Sequence, residues 1–197
     1  RSRLGAGGMG VVYLAHQESL DREVALKLVR PEQLYFEGAR ERFRREVTTV
    51  GRLAHPGIVP VYAVGEDLGI PYFAMEHIQG ATLGEVLQHL ARTANVEQLA
   101  GADFDRALAE LGAPEPVGET ALFQGTWEET CLRILRDVAE ALEYSHRNGV
   151  LHRDIKPTNI MLTRSGRVML VDFGLSSDEN ASERITRSGS HVGSLPY

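Results

Sequence analysis

Two short polar runs in the second half of the chain hold the residue types that proton and phosphoryl chemistry uses. His152-Arg153-Asp154-Ile155-Lys156-Pro157-Thr158-Asn159 lies between the apolar pairs Val150-Leu151 and Ile160-Met161. A solvated loop has no need of such flanks, so these side chains are expected to point into a shared cleft. An Asp there can orient or deprotonate a hydroxyl, a nearby Lys can steady a transferring phosphoryl group, and an Asn can ligate a cation. Twelve to fifteen positions on, Val171-Asp172-Phe173-Gly174 puts a second Asp at the end of an apolar run. A carboxylate in that place suits Mg²⁺, which binds one or two carboxylates together with phosphate oxygens.

The first half contributes glycines and a lysine. Gly5-Ala6-Gly7-Gly8-Met9-Gly10-Val11-Val12 fits G-x-G-x-x-G-x-V, and glycine lets backbone amides approach phosphate without a Cβ in the way. A dinucleotide-binding turn would need a helix next. Val11–Ala15 reads instead as a strand, which favours a β-hairpin lid. Lys27 ends the apolar run Val24-Ala25-Leu26-Lys27. Taken alone it is open to two readings: a stem lying along a sheet edge with its head in water, or a buried ammonium over a ligand. The second demands a carboxylate partner, and Glu46 on the following helix is the candidate.

The elements that must position these residues follow from periodicity. Val11–Ala15 and Glu23–Val29 pair as a hairpin, and Ile58–Gly65 and Pro71–Met75 are two further strands joined through Glu66-Asp67-Leu68-Gly69. Arg40–Leu53 is an amphipathic helix, with Phe43, Val47, Val50 and Leu53 on its apolar stripe, stopped by His55-Pro56-Gly57. Thr82–Leu90 and Trp127–Asn148 are helices, the latter the longer. Asn159–Leu162 and Val168–Val171 are short strands. Residues 91–126 read as an inserted surface loop, with a helical turn or more at Ala107–Leu111. Arg40, Arg42, Arg44 and Arg45 read as the wet face of their helix, with a docking site for a phosphorylated segment as the alternative.

Composition sets the outer limits. The 197 residues are 43% hydrophobic and 24% charged, a globular balance. A net charge of -6 argues against a nucleic-acid surface. Cys131 stands alone, which points to a reducing, cytoplasmic setting. The histidines show no zinc-ligand spacing and no apolar run is long enough to span a membrane.

Taken together and in order, these motifs resemble the eukaryotic-type protein kinase family over essentially the whole chain. Lys156 within Asp-Ile-Lys-Pro-Thr-Asn is similar to serine/threonine kinases, and Gly-Gly-Met-Gly with Val-Gly-Ser-Leu-Pro-Tyr resembles the eukaryotic-like kinases of bacteria. The resemblance implies an α+β bilobal fold: residues 1–78 as a β-rich N-lobe and hinge, and 79–197 as part of an α-rich C-lobe. It implies a catalytic loop at 152–159, an activation segment at 172–197, and ATP and Mg²⁺ as cofactors. By the same resemblance Gly5, Gly7 and Gly10 cover the ATP phosphates, and Lys27 contacts the α- and β-phosphates while paired with Glu46. Asp154 is the base, Lys156 meets the γ-phosphate, and Asn159 and Asp172 hold the metal. Met75 lies behind the adenine, the backbone of Glu76 and Ile78 bonds its edge, and Val12, Ala25 and Met161 sandwich it. Arg153 marks kinases in which a phosphate on the activation segment pairs with that Arg. Thr186 and Ser188 match the usual phosphorylated pair, with Ser190 an outsider, and Ser194 stands where the family usually has Thr.

The expected partners are proteins phosphorylated on Ser or Thr and a second copy of the chain for autophosphorylation. A pseudokinase or nucleotide-binding scaffold is the alternative, and it would lack Lys27, Asp154, Asn159 or Asp172, all of which are present. A small-molecule kinase is disfavoured by the form of residues 154–159. The chain is expected to be cut before the family's Ala-Pro-Glu motif, leaving apolar surface on Trp127–Asn148 and little activity in the piece by itself. A membrane anchor would then lie elsewhere in the parent protein.

Overall fold

The computed structural model describes residues 2–7, 10–30, 38–93, 98–116, 118 and 120–173. Within these the chain divides into two compact units. One takes the chain up to Ala54 together with Val59–His77. The other takes His55–Ile58 and the chain from Ile78 onward.

The first unit is an antiparallel sheet with one helix. Its strands are β1 (Ser2–Gly7), β2 (Gly10–Gln17), β3 (Arg22–Val29), β4 (Val61–Asp67) and β5 (Ile70–Glu76), in the order β1-β2-β3-β5-β4. The β4–β5 hairpin closes through Leu68 and Gly69, with φ of 47° and 78° and Asp67 opposite Ile70. Two left-handed residues in a two-residue loop match the twist of the flanking strands. The reading of Ile58–Gly65 as one strand is corrected here: the strand starts at Val61, after Pro60, and Ile58 pairs elsewhere. The helix α1 (Ala39–Val50) buries Ala39, Phe43, Val47 and Val50, the spacing of one apolar stripe. Phe43 meets Phe73 of β5 with ring centroids 6.4 Å apart, and Arg40 reaches Glu66 at 2.9 Å. That side chain is therefore a tie from α1 to the β4–β5 hairpin, where the sequence reading had a wet face or a docking site.

The second unit is helical around a small sheet. Its elements are β6 (Ala81–Thr82), α2 (Leu83–Thr93), α3 (Gly101–Glu110), α4 (Trp127–Arg147), β7 (Ile160–Leu162) and β8 (Val168–Leu170), with sheet order β6-β7-β8. The helix α4 has chemical signals at both ends. Thr126 Oγ1 accepts from the Glu129 amide at 3.2 Å, while Glu129 Oε2 accepts from the Thr126 amide at 2.9 Å, a reciprocal cap. At the other end Gly149 takes φ 75°, and the amides of Gly149 and Val150 donate to His146 and Ser145, satisfying the last carbonyls. Between them Ile134, Val138 and Ala141 form its buried stripe.

Residues 91–126 are more than the surface loop that the sequence suggested. The helix α3 spans Gly101–Glu110, and Phe104 is fully buried, stacked on Trp127 at 4.4 Å. Its apolar residues are too widely interleaved with Asp and Arg for periodicity alone to have marked them as core.

His55–Ile58 belong to the second unit for concrete reasons. The His55 ring stacks on Tyr144 at 5.0 Å, the Gly57 carbonyl accepts from Leu170 at 2.8 Å, and Ile58 forms a parallel bridge to Leu170. A side chain on Gly57 would press on Ala141 Cβ at 3.0 Å. The helix α1 is already capped at Gly51, so the expectation that the His-Pro-Gly run stops it is corrected: that run supports the strand leading to Asp172.

Candidate active site

In the first unit the sheet register gathers the expected nucleotide residues on one face. Val12 lies opposite Lys27 and Leu14 opposite Ala25 across β2 and β3, while Ala25 is opposite Met75 and Lys27 opposite Phe73 across β3 and β5. Because side chains alternate along a strand, Val12, Ala25, Lys27 and Met75 share a face, and Phe73 ties that face to α1. Lys27 is 4% exposed, with Nζ 5.9 Å from the Phe73 ring centroid. The burial decides between the two readings of this lysine: its head is not in bulk water. Glu46 follows Phe43 by three positions, so it rises from the side of α1 turned to the same sheet face.

The glycines divide by role. No neighbour lies within 4 Å of where a Cβ would sit on Gly5 or Gly7, so both stand beside open space, as an approach of phosphate to the backbone requires. Gly10 is different: a Cβ there would run into the Leu28 carbonyl of β3. Its smallness serves strand packing first. At the end of β5 the Glu76 amide donates to the Pro60 carbonyl at 3.0 Å, so the edge-binding role expected of Glu76 would fall to its carbonyl. Ile78 is buried and, like Met161, belongs to the second unit.

In the second unit the polar run is tied into one network. Asp154 Oδ2 accepts from Lys156 Nζ at 2.8 Å and from Asn159 Nδ2 at 3.0 Å, and the same Nδ2 reaches the Asp154 carbonyl at 2.8 Å. Both neighbours of that amide nitrogen are acceptors, which fixes which end of the Asn159 side chain is which. The carboxylate of Asp154 is therefore held from two sides. Pro157–Asn159 form a 3-10 turn, which folds Asn159 back toward Asp154.

His152 joins this loop to the second aspartate. Its Nε2 donates to the Val171 carbonyl at 3.0 Å while Nδ1 accepts from the Asp154 amide at 3.3 Å, and its ring lies 4.6 Å from Phe173. The Val171 amide in turn donates to the Asn159 carbonyl at 3.0 Å. Asp172 is thus started from a residue bonded both to His152 and to Asn159. Burial, the larger effect, holds the His152 pKa below its ordinary value, partly countered by the Val171 bond and by the Asp154 and Asp172 carboxylates. Arg153 and Asp172 adopt φ of 63° and 56°, left-handed values that cost non-glycine residues about 1 kcal/mol each. Arg153 is exposed. The sequence had shown His152 only as part of a motif. Its bond to Val171 spans 19 positions, and no local pattern signals that.

A divalent cation fits the oxygen set of Asn159 and Asp172. The donor end of the Asn159 amide is committed to Asp154, and its other end is an oxygen, the atom type a hard cation takes. Among the described residues no group of three or more His, Cys, Asp and Glu is arranged to hold a metal. A cation here would draw its remaining ligands from phosphate and water, the habit of Mg²⁺. The expected regulatory residues Thr186, Ser188, Ser190 and Ser194 lie outside the described residues.

Comparison with known proteins gives one consistent result. The model of the family described as "Protein kinase domain" matches residues 1–197. The chain is 38% identical to the serine/threonine-protein kinase PksC of Streptomyces coelicolor over 88% of its length and 27% of that protein. It is 34% identical to the serine/threonine-protein kinase PrkC of Bacillus subtilis over 98% of its length and 25% of that protein. Among solved structures, the Mycobacterium tuberculosis PknI kinase domain aligns with TM-score 0.62 and 33% identity, over 89% of this chain and 57% of that one. The chain spans about a quarter of the length of these curated relatives.

Proposed function

This chain belongs to the protein kinase domain family, and from that membership we propose that it transfers the γ-phosphoryl group of MgATP to Ser and Thr hydroxyls of proteins. The observation that carries the reading is the double hold on Asp154, by Lys156 and Asn159, in a loop bonded through His152 to the strand end that bears Asp172.

Each residue has a task that its surroundings suit. Asp154 orients the acceptor hydroxyl and takes its proton; Lys156, 2.8 Å from that carboxylate, offers positive charge to the transferring group. Asn159 and Asp172 supply the oxygens for Mg²⁺, which when bound neutralises charge on the phosphates. Lys27 engages the phosphates and Glu46 balances its charge, a pairing supported by the shared sheet face and by the burial of the lysine. Val12, Ala25, Met75 and Met161 provide apolar surface for the base. Little covalent chemistry is asked of the protein, so alignment and charge placement supply the rate. Phosphorylation of Thr186 or Ser188, with Arg153 as the receiving cation, is the regulatory device the reading adds. The solitary Cys131 supports a cytoplasmic site of action, and the described residues contain no helix long and apolar enough to cross a membrane.

The test is phosphoryl transfer from labelled ATP to a Ser/Thr peptide by the full protein, with Asp154→Ala and Asp172→Ala beside it. Each substitution is expected to lower kcat by roughly a thousandfold or more. Wild-type turnover in Asp172→Ala would remove the metal from the assigned place.

A further inference from the structure

The β7–β8 hairpin has Asn159 immediately before it and Asp172 shortly after it, so the pairing of its two strands sets the separation of the two expected metal ligands. Its strands are three residues long, and β6 adds only Ala81 and Thr82 to one edge. So short a ladder is weak by itself, and its geometry depends on what holds its ends. One end is tied by His152, Asn159 and Gly57. The other is the turn at residues 163–167, where Gly166 and Arg167 donate to Thr163.

That turn is gripped by the inserted segment. Arg164 reaches Asp105 of α3 with two parallel bonds, Nε to Oδ1 at 2.9 Å and a terminal nitrogen to Oδ2 at 3.1 Å. The Arg164 side chain is 15% exposed, against 37% for Asp105, so the pair is partly shielded, and its planar two-bond geometry is directional; the exposed Glu115 lies farther off, 3.8 Å from Arg164. On the opposite side of the turn Gly166, at φ 83°, comes so close to Thr120 that a Cβ would collide with its hydroxyl. The grip has a firm base. The Phe104 side chain, one residue before Asp105, is buried against Trp127 at the start of α4. The Gly101 amide also donates to the Gly125 carbonyl at 3.0 Å.

We propose that α3 and Thr120 act as a clamp on the β7–β8 turn, in which Asp105 and Arg164 are positioning residues that fix Asn159 and Asp172 for catalysis. Neither touches the reacting groups. The consequence for catalysis rests on the kinase reading; the mechanical tie does not.

The experiment measures amide exchange and kinetics in the full protein carrying Asp105→Ala, Asp105→Asn, or the exchanged pair Asp105→Arg with Arg164→Asp. In Asp105→Ala the Val171 amide is expected to exchange about tenfold faster, with Ala141 in α4 unchanged. The kcat falls about tenfold while the KM for peptide stays within twofold. The exchanged pair restores both, and Asp105→Asn, which keeps the side-chain shape, falls between. Unchanged exchange at Val171, equal acceleration at Ala141, normal kcat despite faster Val171 exchange, or no recovery in the exchanged pair would each overturn the clamp. If wild-type protein transferred no phosphoryl group while Val171 still responded, the kinase reading would fall and the tie would stand.

Discussion

Asp154 and His152 sit two positions apart and are held by opposite means. The aspartate is aimed by an ammonium and an amide, whereas burial favours the neutral histidine, so that Nδ1 can accept and Nε2 can donate. Protonating His152 would put the ring's second proton on Nδ1, the nitrogen that accepts from the Asp154 amide, and the bond would be lost. Its pKa in the folded chain is lowered, so the unfolded chain binds the proton more readily. The stability this contributes is complete above the unfolded value of about 6.5 and is lost as pH falls from there through the folded value. Urea unfolding of the wild type between pH 7.5 and 5 is expected to show a declining midpoint, and His152→Gln a flatter one. Parallel slopes would deny His152 this part. His152 and Asp154 were visible in the sequence as members of a polar run, but the tautomer and the distant carbonyl that sets it were not.

At the scale of elements, close backbone approaches decide more than apolar content does. Gly80 precedes β6, and a Cβ there would collide with the Leu162 carbonyl of β7; Gly84, in α2, lies against Thr158 in the turn before Asn159, where a Cβ would meet the Thr158 methyl at 2.9 Å. Gly80→Ala is therefore expected to pry β6 from β7 at a cost of about 1–3 kcal/mol, read as a lower midpoint in denaturant. An unchanged midpoint would mean the strand edge adjusts freely. The long helices were legible because each announces itself locally, α4 through its Thr126–Glu129 cap and its spaced apolar stripe. β1 was read only as the unbounded first arm of a β-hairpin lid because its glycines argue for a turn, yet its pairing with β2 overrides that preference. The helix α3 was blurred for a related reason: Phe104 finds its partner, Trp127, 23 positions away.

For the molecule as a whole, the residues assigned to the nucleotide and metal belong to two separately packed units, Lys27 and Met75 to one, Asp154, Asn159 and Asp172 to the other. A ligand that binds only the folded chain raises its stability by mass action. At a hundredfold excess over Kd a non-hydrolysable ATP analogue with Mg²⁺ is expected to add about 2.7 kcal/mol and raise Tm by about 5–10 °C. The part of that shift that depends on Mg²⁺ should vanish in Asp172→Ala; its survival would place the cation elsewhere. The sequence by itself determined the family and the α+β class and nominated the side chains proposed as reactive, because those rest on residue type and spacing along the chain. Tertiary structure alone decided that Lys27 is buried, that His152 is bound to Val171, that His55–Ile58 pack with α4 and β8, and that Asp105 grips Arg164. Each of those depends on partners far apart in the chain, whose meeting is set by packing and by the pairing of buried polar groups, and neither leaves a periodic trace in the sequence.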